Sequence, residues 1–155
     1  LHQLPYGAPT AVVSPYHLGM PQVCESPLFG GPVAGIAAGH SALHGSGTDT
    51  TAILAVDAPD SPRMLPALER ARVRAGSDVA VATLDGRVQP LCALWRTEAL
   101  THALTELGDP DNQSAMRLLR HARTVVHVVG DASVCDIDTV DELRARRQAR
   151  QATQR

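Results

Sequence analysis

The sequence contains no lysine, since all fourteen of its basic residues are arginine. No ammonium group is available to hold a phosphate as a compact point charge, so a permanently charged cationic contact must come from a guanidinium group. Acidic residues number sixteen, and the formal net charge is -2 at pH 7. A weakly negative chain does not attract nucleic acid or an anionic membrane surface, and neither is expected as a partner.

Aromatic side chains are scarce: the chain has one tryptophan, one phenylalanine and two tyrosines. This scarcity argues against an aromatic platform on which single-stranded nucleic acid could stack. A hydrophobic fraction of 44% still allows a buried core, which alanine, valine, leucine and isoleucine must supply. Small aliphatic side chains of this kind suit close packing of helices on a sheet.

Cysteine is limited to Cys24, Cys92 and Cys135, which are far apart and form no C-x-x-C pattern. We interpret them as reduced thiols that fill apolar space, not as disulfides or metal ligands. There is no signal-peptide pattern and no apolar run long enough to span a bilayer, so a cytoplasmic protein is expected. The length, with no repeat and no linker, predicts a single domain over residues 1–155.

Hydrophobic patterning predicts strands that alternate with helices. Strands are predicted at 11–13, 51–56, 79–84, 88–95 and 125–129. Helices are predicted at 32–43, 97–107 and 114–120. Two more begin at capping residues: one starts at 62 with Ser61 as its cap, and the last starts at Thr139, where Thr139 and Glu142 form a capping box. The run 51–56 is continuously apolar after its threonines, which is typical of a strand covered on both faces. Asp85-Gly86 predicts a hairpin turn between two strands.

This order of elements predicts an α/β fold with three layers, α/β/α, and a mostly parallel, Rossmann-like sheet. In such sheets ligands bind beyond the carboxyl ends of the strands. Ser14 follows the first predicted strand, Asp57 follows the most apolar one, and Asp136 and Asp138 precede the last helix. A carboxylate such as Asp57 offers the oxygen ligand that Mg²⁺ takes together with substrate phosphates. The structural alternatives are that Asp57 bonds the turn after it, and that Asp136 and Asp138 cap the helix.

A glycine-rich stretch, Gly30-Gly31-Pro32-Val33-Ala34-Gly35, leads into the first predicted helix. Glycines before a helix allow backbone N–H groups to approach an anionic ligand, although a tight loop with close helix packing explains the same pattern. Glu25 lies in the loop before this stretch. His40 and His44 stand four residues apart on the predicted helix, but no third ligand is evident, which favours a solvated helix face over a metal site.

Five segments carry a family resemblance, and they occur in a fixed order along the chain. They are Cys24-Glu25-Ser26, Gly31-Pro32-Val33-Ala34-Gly35-Ile36, Leu54-Ala55-Val56-Asp57-Ala58-Pro59, Gln89-Pro90-Leu91 and Asp136-Ile137-Asp138-Thr139-Val140-Asp141-Glu142-Leu143. With these segments the chain resembles the molybdenum cofactor guanylyltransferases and their nucleotidyltransferase relatives of glycosyltransferase-A-like fold. The resemblance covers nearly the whole chain.

The resemblance implies a reaction in which GTP gives its nucleotidyl group to the terminal phosphate of molybdopterin, with Mg²⁺ bound and pyrophosphate released. By similarity Asp57 is the catalytic Mg²⁺ ligand and also contacts the nucleotide, as do Ser14 and Glu25. Gly31, Pro32 and Gly35 are implied to lie in a loop near the substrate, and Asp136 and Asp138 on its pterin side. Molybdoenzymes or other proteins of the cofactor pathway are further expected partners.

One departure from the family is large. The family opens with a strand and a glycine-rich loop that holds the nucleotide phosphates, and this sequence has no match to either. We therefore expect an N-terminally incomplete nucleotidyltransferase domain that lacks its first strand and helix, and we expect residues 1–155 alone to be inactive and poorly stable. CTP in place of GTP, a sugar-phosphate acceptor, or a non-catalytic domain that binds a nucleotide or a partner enzyme are the alternatives.

Overall fold

The computed structural model of the chain describes residues 7–135 together with residues 4, 137, 139, 141, 142, 144 and 145. The helices within residues 7–135 are α1 Gly31–Ala42, α2 Leu65–Ala75, α3 Thr97–Leu107 and α4 Ala115–Leu119, with short 3-10 helices at Ser61–Met64 and Ala132–Val134. The strands are β1 Thr50–Leu54, β2 Val79–Leu84, β3 Arg87–Arg96 and β4 Val125–Val129. No helix in the described part of the chain is both long enough and apolar enough to cross a membrane.

The strands form one sheet in the order β1-β3-β2-β4. The strand β3 runs antiparallel to both of its neighbours, and β2 pairs in parallel with β4. The α/β prediction is confirmed. The sheet is mixed, with β1, β2 and β4 in one direction and β3 reversed by the hairpin. Its turn, Asp85-Gly86, has positive φ at both residues, as the sequence predicted for a tight hairpin.

Two hydrophobic clusters pack on opposite faces of the sheet, because successive side chains of a strand point to opposite sides. Val79 and Val81 of β2 belong to the cluster under α1, α3 and α4, which also holds Trp95. Ala80 and Ala82 belong to the cluster with α2 and the 3-10 helices, which also holds Leu68. All four of these β2 residues have no exposed surface. The three-layer arrangement therefore centres on β2 and β3.

The strand β1 differs from its prediction. It was expected to be covered on both faces, yet Ala52 is exposed and the remaining residues of the strand are only partly buried. Val56, just beyond its end, is 84% exposed. The reason is position, since in the described part of the chain only β3 pairs with β1, which makes β1 an edge strand.

Two further local predictions are corrected. The strand predicted at 11–13 is reduced to a single parallel bridge between Val13 and Val23. Ser61 is not a helix cap: it lies inside the first 3-10 helix, fully buried, and its Oγ bonds to no described residue. By contrast, the capping box is confirmed, because Thr139 Oγ1 accepts from the N–H of Glu142 and a Glu142 carboxylate oxygen accepts from the N–H of Thr139.

Candidate active site

The carboxyl ends of β1, β2 and β4 meet at one edge of the sheet, here called the carboxyl edge, because these three strands run in the same direction. Asp57 follows β1 at this edge and is exposed. Its carboxylate makes no hydrogen bond or ion pair to any residue within the described ranges. A free carboxylate held beside the end of a strand can act as a ligand for a hard cation.

After β4 the chain returns across the carboxyl edge towards β1. The N–H of Gly130 donates to the carbonyl of Thr83 at 2.7 Å, and the N–H of Ile137 donates to the carbonyl of Asp57 at 2.8 Å. Between these two bonds, the buried side chain of Val134 packs into the cluster that contains Leu68. The chain therefore brings Ile137 beside Asp57. Asp136 and Asp138 themselves lie outside the described residues.

Ser14 lies in a loop that the side chain of Gln22 holds in shape. The Nε2 group of Gln22 donates to the carbonyls of Ser14, at 3.1 Å, and Tyr16, at 2.8 Å, while its Oε1 accepts from the N–H of Leu18 at 2.8 Å. The hydroxyl of Ser14 bonds to the backbone of Tyr16 at 3.1 Å. No sequence pattern indicates this role of Gln22, because its partners are backbone groups of a loop without a regular pattern.

The carboxylate of Glu25 accepts hydrogen bonds from residues of its own loop. Its Oε1 accepts from the N–H of Phe29 at 3.2 Å, and its Oε2 accepts from the thiol of Cys24 at 3.7 Å. The rings of Tyr16 and Phe29 lie 6.3 Å apart between centroids. This ring contact joins the loop of Ser14 to the loop of Glu25, so the two predicted nucleotide contacts belong to one surface.

The glycine-rich stretch forms the start of α1, as predicted, with Pro32 in its first turn. A loop at 110–113 supports it, since the N–H of Asn112 donates to the carbonyl of Gly30 at 2.7 Å. Gly31 has a φ of 86°, which favours glycine. The tightest glycine is Gly30, where a Cβ would come within 2.9 Å of both Ala34 Cβ and an Asp111 carboxylate oxygen.

Gly35 is less crowded than Gly30, since a Cβ there would meet only Val13, at 3.8 Å. The adjacent turn is tighter, because a Cβ at Gly39 would lie 3.1 Å from the other methyl group of Val13. The glycines of α1 therefore allow the segment around Val13 to lie against the helix. This places the Ser14 loop over α1.

The candidate residues therefore fall into two groups. Ser14, Glu25 and the glycines lie around the start of α1, while Asp57 lies at the carboxyl edge. No hydrogen bond or ion pair within the described ranges joins the first group to Asp57.

The histidines and cysteines agree only in part with their structural interpretations. Cys92 is buried, whereas Cys24 and Cys135 are exposed and do not fill apolar space. His40 lies in α1 and is half-buried against α3, and His44 lies just beyond the end of α1. His40 Nε2 donates to Thr101 Oγ1 at 2.9 Å, because the Thr101 hydroxyl itself donates to the carbonyl of Thr97. Burial, and then the charge of His44, lower the pKa of His40. Burial raises the pKa of the Cys92 thiol to about 11, as expected of a space-filling thiol. The described residues include no group of three or more His, Cys, Asp or Glu placed to hold a metal.

A sequence profile of the MobA-like NTP transferase domain matches residues 6–128, and the chain belongs to this family. Over 71 residues, 44% of this chain, it is 37% identical to the molybdenum cofactor guanylyltransferase of Rhizobium meliloti (strain 1021). That segment spans 33% of the relative, so the match covers about a third of its length.

A solved structure has the same fold. The molybdopterin-guanine dinucleotide biosynthesis protein A from Archaeoglobus fulgidus aligns with a TM-score of 0.56 over 86% of this chain and 70% of that chain. At a sequence identity of 19%, this similarity shows a shared fold and nothing further.

Proposed function

We propose that this chain belongs to a nucleotidyltransferase of molybdenum cofactor biosynthesis that transfers GMP from GTP to molybdopterin. An oxygen of the terminal phosphate of molybdopterin attacks the α-phosphorus of GTP. The bond from this phosphorus to the bridging oxygen of the β-phosphate breaks, and pyrophosphate leaves with that electron pair. The product carries a new phosphoanhydride bond between the pterin phosphate and GMP.

The observation that carries the proposal is the position of Asp57. Its carboxylate is exposed at the carboxyl edge, three residues beyond the end of β1, and is free of partners among the described residues. This is where α/β sheets bind their ligands. Family membership and the names of the two relatives support the nucleotidyl donor and the pterin acceptor.

Magnesium fits this carboxylate better than a transition metal does. Mg²⁺ commonly takes one or two protein carboxylates and completes its shell with water and substrate phosphates. The exposed carboxylate of Asp57, which bonds to no described residue, can supply one such ligand. When bound, the ion would offset the negative charge that builds on the phosphate oxygens.

The first group of candidate residues is proposed to face the nucleotide. Ser14 and Glu25 would contact it, with Gly31, Pro32 and Gly35 nearby, and their two loops are joined by the contact between Tyr16 and Phe29.

Asp136 and Asp138 are proposed to lie on the pterin side. Molybdoenzymes or other cofactor-pathway proteins are proposed as partners, and the cytoplasm as the location.

The test is to incubate the full-length protein with molybdopterin and Mg²⁺, supplying either GTP or CTP. We expect pyrophosphate release with GTP, dependent on both molybdopterin and Mg²⁺, together with the molybdopterin-guanine dinucleotide product. Faster release with CTP would change the base assignment. GTP binding without pyrophosphate release under any of these conditions would contradict the enzyme and favour a binding domain.

A further inference from the structure

A second polar site lies at the opposite end of the sheet from Asp57. Asp78 precedes β2, Arg96 ends the antiparallel strand β3, and Arg123 precedes β4, so all three lie at the amino-terminal edge of the parallel strands. Together with Glu98, His102 and His121 they line a surface cavity of about 130 Å³. A cavity of this size can hold a small inorganic ion.

Arg96 forms ion pairs with both carboxylates of the cavity. One of its nitrogens lies 3.6 Å from an oxygen of Asp78, and another lies 3.1 Å from an oxygen of Glu98. The second oxygen of Asp78 accepts from the backbone N–H of Arg123 at 3.2 Å. These bonds engage both carboxylates within the protein.

Arg123 is the second arginine that lines the cavity. Its NH2 group lies 3.2 Å from Nε2 of His102. A guanidinium group cannot accept a hydrogen bond, so Nε2 of His102 must accept, which requires a neutral ring with its proton on Nδ1. No carboxylate of the described residues lies within ion-pair distance of the Arg123 side chain.

We propose that this cavity binds a small tetrahedral oxyanion of the phosphate class, with Arg123 as its principal donor. A guanidinium group presents several N–H donors in a plane, which suits two oxygens of such an anion. His102 and His121 add donors once they are protonated. The site is remote from the carboxyl edge and does not depend on the proposed transfer reaction.

The charges of the lining residues predict a pH dependence. Two arginines balance two carboxylates while both histidines are neutral, and protonation of the two rings gives the cavity a net positive charge. A dianion should therefore bind more tightly in acidic than in alkaline solution.

Sulfate is the suitable probe, because it remains a dianion in both mildly acidic and mildly alkaline solution. The full chain is titrated with sulfate at constant ionic strength, near pH 6 and again near pH 8. Binding is followed by calorimetry and by the ring signals of the histidines in NMR spectra. We expect saturable shifts of His102 and His121, with an association constant roughly tenfold larger at the lower pH.

The substitution Arg123→Gln should weaken sulfate binding by about tenfold or more. Its backbone N–H, which bonds to Asp78, is unchanged by the substitution. Arg74→Gln, at an exposed position near the end of α2, makes the same change of charge and should leave binding unaltered. Equal losses in the two variants, or an absence of saturable ring shifts in the unmodified chain, would overturn the site.

Competition identifies the source of the anion. Displacement of sulfate by inorganic phosphate but not by GTP supports a free anion as the ligand. Displacement by both supports a phosphate group carried on a larger molecule. Displacement by neither overturns the assignment to the phosphate class.

Discussion

The strands β1 and β2 run in the same direction in one sheet, yet they differ in burial and in the number of strands that pair with them. Val79 to Ala82 of β2 have no exposed surface and lie between two neighbouring strands. The strand β1 pairs on one side only and is followed by the exposed residues Val56 and Asp57. The centre of the sheet thus supplies stability, while its edge strand carries the candidate functional carboxylate.

The largest effect is expected at the end of β1. Asp57→Asn keeps the size of the side chain but removes its negative charge, so nucleotidyl transfer by the full-length protein should fall on the order of 100-fold or more. The free energy of unfolding should be unchanged. Asp49→Asn changes an exposed carboxylate at the other end of the same strand and should retain normal turnover. Equal activity of the two variants at saturating Mg²⁺ would contradict the role of Asp57.

Amide exchange should distinguish the two strands directly. The N–H of Ala55 donates to the carbonyl of Leu91 in β3 at 3.0 Å, so the alternate N–H groups of Ala52 and Leu54 point away from β3. We expect these two amides to exchange about 100-fold faster than that of Val81 in hydrogen-exchange NMR. Equal protection would show that a further strand pairs with this edge.

The same valine-to-alanine substitution should lower the free energy of unfolding by different amounts in the two regions. Val81→Ala removes two buried methyl groups and should lower the free energy of unfolding by about 1.5–3 kcal/mol. Val56→Ala, at a position that is 84% exposed, should cost less than about 0.5 kcal/mol. Urea denaturation of the two variants measures both values. Similar losses would mean that Val56 is buried in solution.

Gly30 is packed as tightly as the sheet centre although it lies in the candidate site. Gly30→Ala should destabilise the fold by about 1–3 kcal/mol, because the backbone carbonyl of Pro27 and the Cβ of Ala34 must move. Gly35→Ala is the matched control on the same helix, and it should be neutral or stabilising by up to about 1 kcal/mol. Thermal denaturation of both variants tests this order, and the reverse order would contradict it.

The smallest effect is expected from His40, which joins α1 to α3. Its pKa is lowered in the folded protein, so the folded state favours the neutral ring more than the unfolded state does. The stabilisation is present above the ordinary pKa of histidine and is lost as the pH falls through the folded value. His40→Gln should therefore reduce the loss of stability on acidification. The free energy of unfolding of His40→Gln, measured by urea denaturation across the acidic range beside His17→Gln in an exposed loop, tests this, and an unaltered slope in His40→Gln would contradict it.

Much of the fold could be predicted because its signals are local. The hairpin at Asp85-Gly86 and the capping box of Thr139 and Glu142 each depend on residues within a few positions of one another. The exposure of β1 could not be predicted, since an apolar run such as 51–56 indicates what a strand can bury, while its neighbours decide whether it is covered. The bonds of Gln22 were missed for the same reason.

The sequence by itself determined the alternation of strands and helices, the family, and the position of Asp57 after an apolar strand. These properties depend on side-chain periodicity and on the chemistry of short segments. Only the tertiary structure decided that β1 is an edge strand, that Ile137 bonds to the backbone of Asp57, and that Arg123 meets His102 in a cavity at the far end of the sheet. Such pairings join residues that are distant along the chain, and the packing of the sheet with its helices is what brings them together.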